Sequence, residues 1–134
     1  MNDQFDICII GAGVVGLSIA ERLSRSYSNI LVIEKESSFG QHVSSRNSEV
    51  IHSGFYYPKN SLKAKLCVKG NKMMYDFAKK YSINFKKCGK LIVDSSEDSS
   101  KLLKLMDNAQ KNGLKDVKIL NERESKAIEE RVKC

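Results

Sequence analysis

Three glycines and one acid near the amino end have the types and spacing that bind a nucleotide diphosphate. The glycines are Gly11, Gly13 and Gly16, and Glu34 follows them after a second apolar run. The first glycine can turn through backbone angles closed to other residues, the second leaves room for the diphosphate, and the third allows close packing of a helix. The acid can accept hydrogen bonds from both ribose hydroxyls and would repel a 2′-phosphate, which favours FAD or NAD over NADP. The alternative is a glycine turn in an α/β protein that binds no nucleotide.

A strand, a helix and a second strand must position these residues. The largely apolar residues 5–10 predict the first strand, a helix is expected from about Val14 to Arg25, and residues 30–33 predict the second strand. This order predicts an α/β fold that begins with a Rossmann-like βαβ unit. The free amides at the amino end of the helix would face the phosphates. The predicted cofactor-binding residues of this unit are Gly11, Ala12, Gly13, Val14, Val15, Gly16, Glu34 and Lys35.

The residues after the second strand predict a polar loop over 35–48 and then alternating helices and strands. The expected elements are a helix over 62–81 capped by Ser61, a strand over 90–93, a helix over 97–111 closed by Gly113, a strand over 117–120, and a helix from 121 or 122 to the last residues. These elements lack a second nucleotide signature, so they predict the beginning of an inserted α+β substrate domain. We therefore expect an incomplete fold, with residues 1–58 as the N-terminal part of the nucleotide-binding domain and residues 59–134 as the start of the substrate domain.

The composition limits the classes of partner and location. The chain has 134 residues and a formal net charge of +7, which favours either anionic partners or a solvated lysine surface. The lysines between positions 63 and 87 are scattered and lack interleaved aromatic residues. We therefore expect a solvated surface, with acidic substrates or a peripheral membrane surface as the alternative, and no nucleic acid. No run is long enough to span a membrane and no leader precedes the glycines, which predicts a cytoplasmic protein.

The four cysteines, at positions 8, 67, 88 and 134, show no paired spacing. No histidines stand at ligand spacing from them, which predicts that the chain has no metal site. We expect reduced and mostly buried thiols.

A second set of motifs extends beyond the glycine turn. It comprises Gly40, the run Ser44-Ser45-Arg46-Asn47-Ser48, Ile51, and the run His52-Ser53-Gly54 with Tyr56 and Tyr57. Together with the glycines and Glu34, these residues resemble the D-amino-acid-oxidase superfamily of FAD-dependent oxidoreductases. Within that superfamily, the segments 56–67 and 88–93 are similar to about the first third of the enzymes that oxidise L-2-hydroxyglutarate.

The resemblance implies FAD as the cofactor and adds residues to its site. Ser44, Ser45 and Asn47 would lie along the pyrophosphate, ribityl and isoalloxazine regions, and Arg46 would contact the phosphates or the substrate. His52 would stand beside the flavin ring, where its imidazole would act as general base on the substrate hydroxyl or hydrogen-bond the flavin. The alternative is a histidine satisfied by backbone groups at the end of a strand.

Three side chains are candidates for binding the substrate, by the same resemblance. Arg46 and Lys63 would meet the carboxylates, since an arginine fork matches a carboxylate well, and Tyr56 would close the pocket. Surface solvation is the alternative for the lysine and core packing for the tyrosine. One residue departs from the family pattern, because Glu49 stands where hydroxyglutarate-oxidising enzymes commonly have glycine. An inward carboxylate there would repel a dicarboxylate substrate.

The resemblance implies an FAD-dependent enzyme that oxidises a small 2-hydroxy acid, L-2-hydroxyglutarate, to 2-oxoglutarate. One alternative is the oxidation of an amino acid, an amine or glycerol phosphate on the same scaffold. Another is an inactive truncated or split gene product, which needs a second polypeptide to complete the fold.

Overall fold

The computed structural model describes residues 4–94, 96 and 98–133. It is an α/β structure whose described residues contain two strands and four α-helices. In chain order these are β1 Ile7–Ile10, α1 Val14–Leu23, β2 Ile30–Ile33, α2 Leu62–Lys80, α3 Ser100–Lys111 and α4 Glu122–Ile128, with one 3₁₀ turn at His42–Ser44 between β2 and α2. The chain divides into two compact units between Val50 and Ile51. The predicted domain boundary after residue 58 stays a prediction.

The first unit is the predicted βαβ arrangement. β1 and β2 pair in parallel, with Ile7 opposite Ile30 and Ile10 opposite Ile33. Parallel neighbours need a crossover connection, and α1 supplies it. The helix ends at Leu23, two residues before the predicted end, because the N–H groups of residues 26 and 27 turn back to the carbonyl of Leu23. The helix face that carries Gly16 and Leu23 is half-buried.

The first helix of the second unit is the capped helix that the sequence predicts. The Ser61 hydroxyl accepts the N–H of Ala64 at 3.1 Å, which satisfies one of the free amides of the first turn of α2. α2 buries its small residues Ala64 and Ala78. Its larger apolar side chains are exposed instead, namely Leu62, Leu66, Met73, Met74 and Phe77.

The sequence correctly predicts where α3 closes and where α4 begins, but not where α4 ends. α3 begins at Ser100, and the predicted start at residue 97 lies outside the described residues. Its close is as predicted, with Gly113 at a φ of +91° directly after the C-cap. α4 begins with a capping box between Asn121 and Glu124. The prediction that it continues to the last residues is wrong, because Glu129 is already extended.

Three other expectations do not hold in the described residues. Residues 90–93 and 117–120 are not strands, because a strand exists only where its amides and carbonyls pair with a neighbour, and the described sheet consists of β1 and β2 alone. The expectation of mostly buried thiols is also wrong. Cys8 and Cys88 are exposed and Cys67 is half-buried, all three as free thiols. None of the described helices is long and apolar enough to cross a membrane.

Candidate functional site

The glycine turn lies between the end of β1 and the start of α1. Gly11 has a φ of +102°, and its N–H donates to the carbonyl of Ile33 at 2.7 Å, which ties the turn to the end of β2. No atom lies within 4 Å of the place where a Cβ on Gly11 would stand, so the turn presents bare backbone. A Cβ on Gly16 would overlap the carbonyl oxygen of Gly11, so only glycine lets the helix lie this close to the turn.

The carboxylate of Glu34 lies at this turn. One oxygen accepts the N–H of Ala12 at 2.7 Å, and the other accepts the N–H of Glu36 at 3.0 Å. These backbone donors, the N–H of Glu36 first and that of Ala12 next, hold the pKa of the Glu34 carboxyl below its ordinary value of 4.5. Glu34 is therefore ionised at neutral pH and is held beside the glycines by the backbone.

The polar loop after β2 returns to the amino end of α1. The N–H of Gly40 donates to the carbonyl of Ala12 at 2.9 Å, and the Ser44 hydroxyl accepts the N–H of Val14 at 3.0 Å. A Cβ on Gly13 would stand 3.0 Å from that hydroxyl oxygen. Ser44 therefore supplies the side-chain cap that Gly13 cannot, from a position 30 residues along the chain.

The other predicted loop residues bond within the loop itself. The Ser45 hydroxyl donates to the carbonyl of His42, and the Asn47 amide donates to the carbonyl of Ser44 at 3.1 Å and accepts the N–H of Glu49 at 2.8 Å. Arg46 is exposed, and Lys35 places its ammonium group 3.5 Å from a carboxylate oxygen of Glu36. The structure thus brings Glu34 and Ser44 to the glycine turn, while Ser45, Asn47 and Lys35 make the contacts described above within the loop.

One side-chain hydrogen bond in this loop has no signal in the sequence. His42 Nε2 lies 2.9 Å from a carboxylate oxygen of Glu36, and this bond is the first cause of a lowered pKa for Glu36. His42 has a φ of +55°, in the left-handed region that a histidine adopts only occasionally. Two polar side chains six residues apart in a loop follow no periodic pattern, so only the fold reveals that they pair.

The second unit contains the run from His52 to Tyr57, which we call the aromatic segment. His52 is exposed, and its carbonyl accepts the side-chain amide of Asn71 at 3.2 Å. Gly54 is buried, and its φ of +91° turns the chain into the aromatic residues. Next along the segment, the rings of Phe55 and Tyr56 lie with their centroids 3.9 Å apart.

Two lysines stand over the rings of the aromatic segment. The Lys63 ammonium lies 4.9 Å from the centroid of Tyr57, and the Lys90 ammonium lies 5.4 Å from that of Tyr56. Both distances fall within the range of cation–π attraction. The sequence indicates Lys63 as a candidate but not Lys90, because Lys90 falls in the segment 90–93 that was expected to form a strand.

The comparisons with known proteins agree with this geometry. The family model of FAD dependent oxidoreductases matches residues 6–133. The chain belongs to this family. L-2-hydroxyglutarate dehydrogenase of Arabidopsis thaliana, named as mitochondrial, is 44% identical over 134 residues, which cover 99% of this chain and 28% of the plant protein. The mitochondrial enzymes of Nematostella vectensis and Homo sapiens are 41% and 39% identical, each over 96% of this chain and over 29% and 28% of their own lengths.

Membership in the FAD-dependent oxidoreductase family confirms FAD as the cofactor implied by the sequence. The expected cytoplasmic location is wrong, because the relatives are named mitochondrial proteins. The chain spans 28% to 29% of the length of these three curated relatives.

The first unit fits FAD by its own geometry. The bare backbone at Gly11, the ionised Glu34 at the Ala12 amide and the amino end of α1 stand together in one unit. An acid that accepts hydrogen bonds suits the ribose of the adenosine half, and a helix amino end suits the diphosphate.

Proposed function

We propose that this chain supplies the FAD-binding amino-terminal part of an oxidoreductase that converts a small 2-hydroxy acid, L-2-hydroxyglutarate, to 2-oxoglutarate. One observation carries the cofactor part of the proposal, namely the Glu34 carboxylate at the Ala12 amide beside the amino end of α1. An ionised acceptor beside the glycine turn suits the ribose of a dinucleotide cofactor, and this supports the proposal. The names of the relatives support the substrate.

The first unit would hold the adenosine half of FAD. Its turn, Gly11 to Gly16, and the first amides of α1 would bind the diphosphate, and Glu34 would accept the ribose hydroxyls. Lys35, Ser44, Ser45, Arg46 and Asn47 would complete the binding of the phosphates and of the flavin half. Ser44 has a second task, since its hydroxyl already accepts the Val14 amide.

Three of the four residues that would act on the substrate belong to the second unit, and Arg46 belongs to the first. FAD, when bound, would supply the acceptor for the hydride of the carbon that carries the hydroxyl. His52 would take the hydroxyl proton as general base, and Arg46, Lys63 and Tyr56 would bind and enclose the carboxylates. The two ammonium groups support an anionic substrate, because they add positive charge over Tyr56 and Tyr57, the rings four and five residues after His52.

Turnover would need the region that corresponds to the rest of the relatives' length, whichever polypeptide carries it. Large apolar side chains in the first unit support this, because Ile10 is 88% exposed and Val15 is 69% exposed. Exposed apolar surface of this kind marks a face that another part of a protein covers. We propose residues 1–58 as part of the FAD-binding domain and residues 59–134 as part of the substrate domain.

An FAD titration of the purified chain tests the cofactor proposal. Because the first unit would grip the adenosine half, ADP should compete with FAD, and FMN should bind far more weakly than FAD. Glu34→Gln should weaken FAD binding by roughly tenfold, the scale of one lost charge-assisted hydrogen bond. Glu36→Gln is the matched control, because it makes the same charge change two residues away and should leave binding near the wild-type value. Equal binding of FAD and FMN would contradict the proposal.

The substrate proposal needs a separate measurement. Anaerobic addition of L-2-hydroxyglutarate to the flavin-loaded protein, completed with the region matching the rest of the relatives, should bleach the visible flavin absorbance. The D-enantiomer, an L-amino acid and glycerol phosphate are the comparison compounds, since the same scaffold serves several substrates. If one of these compounds bleaches the flavin faster than L-2-hydroxyglutarate does, the proposed substrate is wrong and that compound is the better candidate. His52→Ala should slow the bleaching strongly, and an unchanged rate would remove His52 from the mechanism.

A further inference from the structure

The aromatic segment is held by side chains from another helix. Asn108 and Asn112 stand one helical turn apart at the end of α3, and each directs its side-chain amide at backbone carbonyls of the segment. The Asn108 amide donates to the carbonyls of Phe55 at 2.7 Å and Tyr57 at 3.0 Å. The Asn112 amide donates to the carbonyls of Gly54 at 3.2 Å and Tyr57 at 2.8 Å.

These four hydrogen bonds use both amides fully as donors. A side-chain amide group carries two N–H donors, and the amide group of each asparagine bonds two carbonyls. The carbonyl of Tyr57 accepts from both asparagines, so it lies between them. Both side chains are partly buried, where a carbonyl without a donor would be costly.

A third asparagine holds the start of the segment. The Asn71 amide, from the middle of α2, lies 3.2 Å from the carbonyl of His52 and 3.5 Å from that of Ile51. The backbone of His52 is therefore bonded on one side by α2, and the residues that follow it are bonded by α3. The imidazole itself is exposed.

We propose that Asn71, Asn108 and Asn112 are positioning residues, which fix the backbone of the aromatic segment so that His52 and Tyr56 face the substrate in one orientation. The inference rests on the proposed function, in which His52 acts as base. A base must lie within hydrogen-bond reach of the proton it removes, so a displacement of its backbone lowers the rate without removing any reacting group.

Hydrogen exchange of the whole chain tests whether the asparagines hold the segment. Asn108→Asp and Asn112→Asp keep the side-chain shape but replace the donors with carboxylate oxygens, which repel the carbonyls. Exchange in a peptide over 51–57 should become about tenfold faster in either variant, the scale of one or two lost hydrogen bonds. Gln110→Glu is the matched control, because it makes the same change of charge on an exposed position of α3 and should leave that peptide unchanged. Unchanged exchange in the two Asp variants would overturn the inference.

A kinetic measurement separates positioning from simple stabilisation. In the flavin-loaded, completed protein, Asn108→Asp should lower kcat about tenfold while KM stays within about twofold, because the substrate contacts remain and the base is displaced. A lower melting temperature with an unchanged kcat would show a structural role alone and would overturn the proposal. If FAD does not bind at all, the proposed function fails, while the exchange experiment still decides whether the asparagines hold the segment.

Discussion

The glycine turn and the aromatic segment are both sharp bends that expose functional groups, yet they are held in different ways. The turn is held by backbone groups of its own βαβ unit and by Glu34, 22 residues from its partner Ala12. The aromatic segment is held by Asn71 of α2 and by two asparagines 51 to 58 residues further along the chain. The first is therefore recognisable as a local motif, whereas the second depends on the packing of distant helices.

The glycines of the two bends show the same contrast. Gly11 and Gly54 both adopt positive φ values, +102° and +91°. Space around the first is open, whereas a Cβ on the second would stand 3.1 Å from Cβ of Cys67 and 3.2 Å from Cγ2 of Val68. Glycine thus leaves bare backbone for a ligand in one bend and permits close packing on α2 in the other.

The largest effect that we expect comes from Gly16→Ala. The added methyl group would overlap the Gly11 carbonyl, so the helix must move and the turn must distort. We expect a loss of about 3 kcal/mol in the free energy of unfolding, the upper part of the range for overpacking, and no measurable FAD binding. Gly70→Ala is the control, since no atom lies within 4 Å of the added Cβ in this helix interior. It should stabilise the chain by about 0.5–1 kcal/mol in thermal or urea unfolding. Equal stabilities of the two variants would contradict the packing argument.

A second pair of glycines separates backbone strain from packing in the second unit. Gly54 and Gly113 share a φ of +91°, but only Gly54 is crowded. Gly113→Ala should cost about 1 kcal/mol, the price of a left-handed alanine. Gly54→Ala should cost about 2 kcal/mol or more, because the close contacts add to the same strain. Urea unfolding measures both, and equal losses would show that packing around Gly54 does not matter.

The turn should also weaken in acid. The pKa of Glu34 is depressed in the fold, so its ionised form stabilises the folded state above the ordinary value of 4.5, and this contribution is lost as the pH falls through the depressed pKa. Wild type should therefore be more stable than Glu34→Gln at pH 7, and the difference should shrink below about pH 4.5. Urea unfolding of the two proteins over pH 3–7 measures this. A difference that stays constant with pH would mean that the carboxylate charge contributes nothing.

The smallest effect concerns Glu49, which departs from the family pattern. Its φ is +56°, a left-handed angle that costs a residue with a Cβ about 1 kcal/mol. Glu49→Gly should therefore raise the free energy of unfolding by a few tenths to about 1 kcal/mol. The gain stays below the full strain energy because glycine also increases the conformational entropy of the unfolded chain. Asn60→Gly is the control, because Asn60 has a φ of +68° and asparagine tolerates this region. It should change stability by less than Glu49→Gly does, and the reverse order would contradict the strain argument.

Several features of the fold could be predicted because their causes lie close together in the chain. The βαβ order, the Ser61 cap of α2 and the left-handed Gly113 after α3 all follow from neighbouring residues. The strands expected at 90–93 and 117–120 failed because pairing depends on a partner strand and not on the apolar residues themselves. The large side chains of α2 stay exposed for a related reason, since periodicity gives a helix its faces but not its neighbours.

The candidate site also combines features that follow from neighbouring residues with features that depend on distant ones. The sequence alone determined the glycine turn, its acid and the family cofactor, because a diphosphate site is made from backbone amides and a fixed spacing of glycines. The tertiary structure decided which amide Glu34 accepts, that Ser44 caps α1, and that three asparagines hold the aromatic segment. These contacts join residues 19 to 58 positions apart. No local pattern specifies such pairs, because the chain must first fold to bring the donors to their carbonyls.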